Sequence, residues 1–522
     1  MSGCRGTGAS RRGLWILAAV VASLVPMAAG IGPRQPLTGD EVIVLSVSET
    51  LVRENRLGAP IFSGVGSAER HYFASLPLIH VLHWPVLKVL GTGVTQARLV
   101  SVILVVLLTV ILAWMVDQRA GALAAVALAV AMLYWRNELT AVGWGLPLPS
   151  AARSARYDAA QLAMLGFTFA AMVRWFEAPS RTRSVLLGVL AGASALTHFV
   201  GVIAPAMLLI GWMAGGRGRP SPRALSWVGA GLLLATVPYG AYVVANWPDA
   251  AAQYASVHGA RGQATLGVFA NLMVEPRRYA HLPGATSPGP WLWLAAVAVA
   301  ARWFVRNWRH AEHGALARVA GANVVAAVGL LAFFEPTKAP LYALPLLVPI
   351  GVGGAMAFAD AWRSGGRVWR TFLALILAAV LLEGLAAMAL EWRAARERTA
   401  FEEISRAVRA AVPAGAAGTG ATRWWRALGE SGYVPFVTLM YRSRPGADGS
   451  GSGLRETWSS AGIGYVVRSP EFDADVERSG VAAERVARIL RECGRLLLRL
   501  EDATYGPLEV VGLGRPCPAL EP

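Results

Sequence analysis

Apolar residues recur along this chain in long uninterrupted runs, broken by short polar stretches rich in arginine. A first run covers Leu14 to Ile31. Others fall near 95–116, 119–135, 156–176, 184–198, 199–214, 225–245, 290–306, 316–334, 340–360 and 368–390. Each reaches, or nearly reaches, the ~20 residues a helix needs to cross a hydrocarbon layer of ~30 Å. The pattern predicts an α-helical polytopic membrane protein with about 11 transmembrane helices. A shorter apolar segment, 76–90 (LPLIHVLHWPVLKVL), carries His80, His83, Pro85 and Lys88. It reads as a helix lying in the membrane interface. From about Glu391 the pattern changes. A periodic helix (FEEISRAVRAAV), a Pro-Ala-Gly stretch, short apolar runs such as IGYVV and a predicted helix at 484–500 suggest a small α/β domain. The flexible segment ADGSGSG sits at 447–453. Residues 1–390 therefore form a membrane domain with a long first outer loop (32–94), and residues 391–522 a separate domain.

Composition agrees. Of 522 residues, 55% are hydrophobic and 15% charged, with a mean hydropathy of +0.47, which excludes a soluble globular protein of this length. The net charge of +16 would suit nucleic acid if it were clustered on one surface. Instead the arginines fall between apolar runs: Arg119, Arg181, Arg183, Arg217, Arg219, Arg223, Arg306, Arg309, Arg363, Arg367 and Arg370. With a cytoplasmic N-terminus, all of these lie on the cytoplasmic side, as the positive-inside rule requires. The opposite loops are then 32–94, 136–155, 246–289 and 335–339, and an odd span count leaves the C-terminal domain extracytoplasmic. The first run follows Arg5, Arg11 and Arg12 and ends near Met27-Ala28-Ala29. It is either a cleaved signal peptide or an uncleaved anchor, and both place loop 32–94 outside. Cys493 and Cys517 share the C-terminal domain, and their spacing leaves both a disulfide and two free thiols open.

Candidate chemistry converges on the outer face. Asp40 and Glu41 follow the first run and could act as a general base, or could cap a helix from Thr38 or Asp40. In Glu69-Arg70-His71-Tyr72, Arg70 has the donor fork for a phosphate, while Glu69 and His71 are candidate ligands of a divalent metal ion. The alternative is a solvated loop end with a snorkelling arginine. Arg156-Tyr157-Asp158 opens a span at the outer side, where Asp158 also suits the helix dipole. Glu138 is a further acid in loop 136–155. His198, in Leu196-Thr197-His198-Phe199, sits where two spans meet, and Lys338 lies in the short loop Glu335–Pro340. Each has a structural reading, as a hydrogen-bonded histidine or an interface anchor.

Taken together, these features resemble the GT-C glycosyltransferases, polytopic enzymes that use polyprenyl-phosphate sugars, and most of all the protein-mannosyltransferase and aminoarabinose-transferase branch. The resemblance covers about residues 13–390. It rests on the acidic pair Asp40-Glu41, the amphipathic segment after it, and Arg156-Tyr157-Asp158. The stretch Thr337-Lys338-Ala339-Pro340-Leu341-Tyr342-Ala343-Leu344-Pro345 also resembles the family's Lys-x-x-x-Tyr-x-Leu-Pro segment. The chain departs from the family where His71-Tyr72-Phe73-Ala74 replaces a frequent His-Pro-Pro-Leu, and where Leu196-Thr197-His198-Phe199 replaces Leu-Thr-Lys-Gly. The resemblance implies a catalytic carboxylate among Asp40, Glu41 and Asp158. It also implies donor-phosphate binding by Arg70, His71, Arg156, His198 and Lys338. The expected activity is an inverting sugar transfer from a polyprenyl-phosphate donor to a lipid, glycan or protein acceptor at the outer face of a bacterial inner membrane. A non-enzymatic transporter or flippase of lipid-linked sugars is the alternative. It would favour paired repeats and charges at mid-membrane, of which Glu383 is the clearest here.

Overall fold

The computed structural model describes residues 31–135, 147–216, 219–258, 268–276, 289–335, 340–443, 454–478, 481–514 and Cys517. The first apolar run is described only at Gly13, Val20, Leu24 and Met27, all helical. Glu138, Lys338 and the segment at 447–453 lie outside the described residues. Helices α1 (Gly39–Glu54) and α2 (Leu78–Leu90) precede a long series: α3 (Val94–Ala120), α4 (Ala122–Tyr134), α5 (Tyr157–Glu177), α6 (Arg181–Ala195) and α7 (Ile203–Ala214). It continues with α8 (Pro222–Ala245), α9 (Trp247–Gln253), α10 (Gly289–Asn307), α11 (Gly314–Phe334), α12 (Leu347–Ser364) and α13 (Arg367–Glu397). A helix thus covers each apolar run after the first. Six are long and apolar enough to cross a membrane: α3, α5, α8, α11, the helix ending at Ser364, and the one beginning at Arg367. Among the described residues the others are shorter or carry more charge, so six of the expected spans of about 11 meet these criteria of length and apolarity.

The chain divides into two compact units. The first holds Met1–Gly30, Arg98–Gly240 and Thr265–Arg393. Its core is α5, which packs on α6 and α11, while α7 packs on α11 and α12 on both α10 and α4. Trp175, Phe169 and Met172 of α5 are fully buried, because a helix surrounded by other helices turns no polar face outward. Helices α6 and α8 cross at backbone contact. A Cβ at Gly188 would lie 2.0 Å from Val228 O, and one at Gly231 would lie 2.1 Å from Val185 O. Small residues at such a crossing let main chains approach, the packing that apolar surroundings favour.

The second unit gathers three stretches remote in sequence: Ile31–Ala97, Ala241–Ala264 and Ala394–Pro522. Helix α2 packs on α1. The C-terminal stretch contributes α14 (Phe401–Ala411), β1 (Ala417–Gly420), β2 (Tyr433–Pro435), α15 (Phe436–Arg442), β3 (Ile463–Arg468), α16 (Pro470–Arg478), α17 (Val481–Cys493), β4 (Gly494–Asp502) and β5 (Gly506–Leu513). The sheet runs β2-β1-β3-β5-β4. Strand β1 is parallel to β2 and β3, while β5 is antiparallel to β3 and β4. Trp424, Trp458, Tyr465, Phe436 and Phe472 fill the core. The helix expected at 484–500 ends at Cys493, and Gly494–Asp502 is strand. The run GRLLLRLED reads as helical locally, but Gly494 interrupts it and the long antiparallel partner β5 supplies the ladder that decides. Cys493 and Cys517 form a disulfide with a Cα–Cα distance of 5.5 Å, closing a loop of 24 residues' separation.

Two stability consequences follow from these contacts. Gly188→Val should disrupt the α6–α8 crossing and cost ~3 kcal/mol or more, seen as loss of the monodisperse peak in fluorescence-detected size exclusion; an unchanged peak and melting point would contradict the close approach. Cys493→Ser should lower the stability of the C-terminal domain by about 3 kcal/mol, the loop-closure value for a ring of this length, measured by thermal melting under non-reducing conditions.

Candidate active site

The N-terminus of α1 is built by local rules. Thr38 is the N-cap, and its hydroxyl accepts the Glu41 N–H at 3.3 Å. Glu41 reaches back, its Oε2 accepting the Thr38 N–H at 3.1 Å. This capping box commits one member of the acidic pair to the helix start, and Glu41 is only 1% exposed. Asp40, one position earlier, is exposed and sits in the first turn, where the dipole favours a negative charge. The first turn rests against the C-terminal domain. A Cβ at Gly39 would lie 2.8 Å from Glu471 Oε1 and 3.1 Å from Thr422 Cβ, so only glycine fits without displacing that neighbour. Arg423 grips Glu471, and Arg478 Nη2 holds Asp475 Oδ1 at 2.7 Å. Burial, with Glu471 and Asp40 adding to it, pushes the Asp475 carboxyl up to about 6, against the pull of Arg478 and Arg423. Further along α1, Glu49 pairs with Arg426.

Below the first turn, two histidines of α2 converge on one hydroxyl. Ser48 Oγ donates to Val44 O at 2.9 Å. Its lone pairs are then free for His80 Nδ1 and His83 Nδ1, both 3.0 Å away, an assignment in which each ring carries its proton on Nδ1. Burial lowers His80 to about 3, with His83 adding to the effect, and lowers His83 to about 4. Both rings are neutral struts between α1 and α2.

The remaining candidates of the loop between α1 and α2 are tied to the segment after α8. His71 Nδ1 meets Asp249 Oδ2 at 2.8 Å. Gln253 accepts the Phe73 N–H at 2.8 Å and donates to Gly66 O at 2.8 Å and to His71 O. Glu69 accepts the Gly64 N–H at 3.1 Å, so its carboxylate and the His71 ring have different partners. Among the described residues no group of three or more His, Cys, Asp and Glu side chains is arranged to hold a metal ion. Glu69 and His71 do not make up such a donor set. Arg70 is exposed.

A second locus lies in the first unit, at the start of α5. Arg156 is the N-cap and has no side-chain capping bond; its Nε lies 3.1 Å from Asp158 Oδ2. The Tyr157 ring stacks on His198 with centroids 4.1 Å apart, and the Arg156 guanidinium lies 5.6 Å from the Tyr157 centroid. Arg153 Nη1 is 3.5 Å from Glu391 Oε1, both side chains buried. Buried charges in such surroundings are retained only when paired.

The structure thus brings Arg156, Asp158 and His198 together in one unit. It places Asp40 and Glu41 at one helix start in the other, with Glu69, Arg70 and His71 in the following loop. Glu471, Arg423, Asp475, Asp249, Gln253 and the Arg153–Glu391 pair were not singled out from sequence.

A bundle of apolar helices, a helix with an acidic first turn near the N-terminus and an α/β C-terminal domain are the parts of the GT-C fold. Solved structures of that fold match this chain nearly end to end. ArnT from Cupriavidus metallidurans, solved with undecaprenyl phosphate, superposes with a TM-score of 0.60 at 15% identity, covering 96% of this chain and 98% of its own. An oligosaccharyltransferase of Archaeoglobus fulgidus, solved tethered to an acceptor peptide, gives 0.58 at 13% identity over 96% of this chain and 74% of its own. The same organism's AglB in complex with an inhibitory peptide and a dolichol-phosphate gives 0.54 at 12% identity, covering 92% and 73%. No family model and no curated protein sequence matches this chain.

The raised Asp475 carboxyl has a pH signature. Because the folded state disfavours its charged form, this group subtracts stability as pH rises from about 4 through about 6, and the full penalty remains above that. Asp475→Asn should therefore stabilise the protein more at pH 8 than at pH 5, by a difference of about 1 kcal/mol, read from melting curves; equal stabilisation at both pH values would rule this out.

Proposed function

We propose that this chain is a membrane-embedded glycosyltransferase that moves a sugar from a polyprenyl-phosphate donor to an acceptor hydroxyl on a lipid, glycan or protein, with inversion. The observation that carries this reading is the whole-length likeness to ArnT, a transferase solved with undecaprenyl phosphate.

Asp40 is the base. Of the acidic pair it alone is exposed, Glu41 being committed to the capping box. Asp40 takes the proton of the acceptor hydroxyl as that oxygen attacks the anomeric carbon from the face opposite the phosphate. The anomeric C–O bond breaks with oxocarbenium character, and its electron pair leaves on the phosphate. Fixed cations that stabilise this leaving charge are worth most in a dry site. Arg156, paired with Asp158, is one such cation, and His198, stacked on Tyr157, is a further phosphate ligand of this reading. Arg70, His71 and Lys338 are the further donor-phosphate ligands of this reading. No step is routed through a metal ion.

The protein is read as a multi-pass protein of a bacterial inner membrane, with the N-terminus cytoplasmic and the C-terminal domain outside. Two observations support this orientation. The three stretches of the second unit coincide with two of the long loops and the C-terminal domain that the arginine distribution places outside. The Cys493–Cys517 disulfide suits an oxidising compartment.

Purified protein given labelled polyprenyl-phosphate sugars should release polyprenyl phosphate, and Asp40→Asn should lower that release by about 10²–10⁴-fold with an unchanged melting point. Glu41→Ala, which removes the acceptor of the Thr38 N–H, should instead lower stability by ~1 kcal/mol through the cap and leave most turnover. Donor binding without release, equal in wild type and Asp40→Asn, would favour a carrier and remove Asp40 from the catalytic role.

A further inference from the structure

The chain leaves the parallel part of the C-terminal sheet in two directions. Strand β1 is parallel to both of its neighbours, β2 on one side and β3 on the other. After β1 the chain turns toward β2, whereas after β3 it runs to β4 and β5 on the far side. The loops that follow β1 and β3 therefore part, and a crevice opens beyond the carboxyl ends of these two strands. In open α/β sheets such a topological switch point is where ligands are held. Here the crevice has a volume of about 400 Å³, within the ~300–1,000 Å³ of small-molecule sites. Arg423 and Trp424 line it after β1, Ser469 and Glu471 after β3, and Thr504 and Tyr505 from the β4–β5 turn.

This lining sets donors and acceptors beside aromatic rings. Arg423 gives its Nε–H to Glu471 Oε2, which leaves the Nη groups and further carboxylate lone pairs for a ligand. Ser469 Oγ accepts the Phe472 N–H at 3.2 Å, and Thr504 Oγ1 accepts the Thr399 N–H at 3.0 Å, so each hydroxyl keeps a proton to donate. Trp424 is fully buried, and its Nε1 has no hydrogen-bond partner among the described residues. The Arg423 guanidinium lies 5.5 Å from the Tyr505 centroid. Because Arg423 and Glu471 balance each other's charge, the crevice does not select a phosphate. Its many short-range donors and acceptors suit a neutral ligand rich in hydroxyls. Glu471 also borders α1, since a Cβ at Gly39 would lie 2.8 Å from its Oε1. One wall of the crevice thus meets the residue that precedes Asp40.

We infer that this crevice is a saccharide site, which holds the sugar end of the acceptor through Arg423, Glu471, Ser469 and Thr504 and presents a hydroxyl toward Asp40. That the bound sugar is the acceptor rests on the glycosyltransferase reading, whereas the site itself rests on the sheet topology and the lining.

The test is binding of the purified full-length protein to an array of neutral and phosphorylated glycans, with polyprenyl phosphate release from labelled donor followed on the same preparations. Neutral glycans should be retained. Ala503→Trp, at an exposed position of the crevice wall, should lower that signal by about tenfold or more, and Glu471→Gln should weaken it by about tenfold. An unchanged melting point for Ala503→Trp shows that its fold is intact. Donor release with no neutral glycan retained, retention indifferent to both substitutions, or retention of phosphorylated glycans alone would overturn the saccharide site. Neutral glycans retained and lost in Ala503→Trp, with no release from any donor, would uphold the site and remove the transferase reading instead.

Discussion

Charge that enters an apolar interior must be matched there, and this requirement organises the molecule more than any single contact. In the first unit the Arg153–Glu391 pair links the approach to α5 with the far end of α13, and Arg156 answers Asp158 two residues on. Neither partner is tolerable alone, because an uncompensated buried ion costs several kcal/mol. The helices must therefore assemble in the arrangement that brings these residues together. The same rule acts in the second unit, where Glu49 meets Arg426 and Glu471 meets Arg423. There the Glu49–Arg426 pair joins residues 377 positions apart, while Arg423 and Glu471 lie within the C-terminal stretch.

Much of the fold was legible in local pattern. Runs of apolar residues mark ten helices because hydrocarbon-facing and bundle-facing surfaces are both apolar, so no contrast is needed to detect them. Segment 76–90 was readable as a helix too short to span, and α2 is found there, with His80 and His83 buried. The change of texture near Glu391 marked the α/β domain. The stretch after Cys493 was not readable, since leucines spaced for a helix serve equally well in a strand once β5 is available as a partner. Helix α1 was visible only as one of two alternatives at Thr38–Glu41, its interior being rich in β-branched residues that weaken a helical reading.

The candidate site was legible in part, and the division has a physical cause. Asp40, Arg156 and His198 stand out because a polar residue beside a membrane span is conspicuous. Glu471, Asp475 and Asp249 do not, because each lies in an ordinary polar stretch and acquires its role only from a neighbour brought by the fold. No local rule connects Gly39 to Glu471, or His71 to Asp249. The glycine before the acidic pair could be taken for a turn residue, while its function is to leave room.

That room has a consequence for the order of events in synthesis. Helix α1 is made among the first residues of the chain, whereas Thr422 and Glu471, which form its seat, emerge several hundred residues later. Until they do, the capping box can hold the helix start together but nothing holds it in place. The carboxylate at its tip therefore gains its final setting among the last steps of assembly, and a chain stopped before residue 422 would carry the acid without its support.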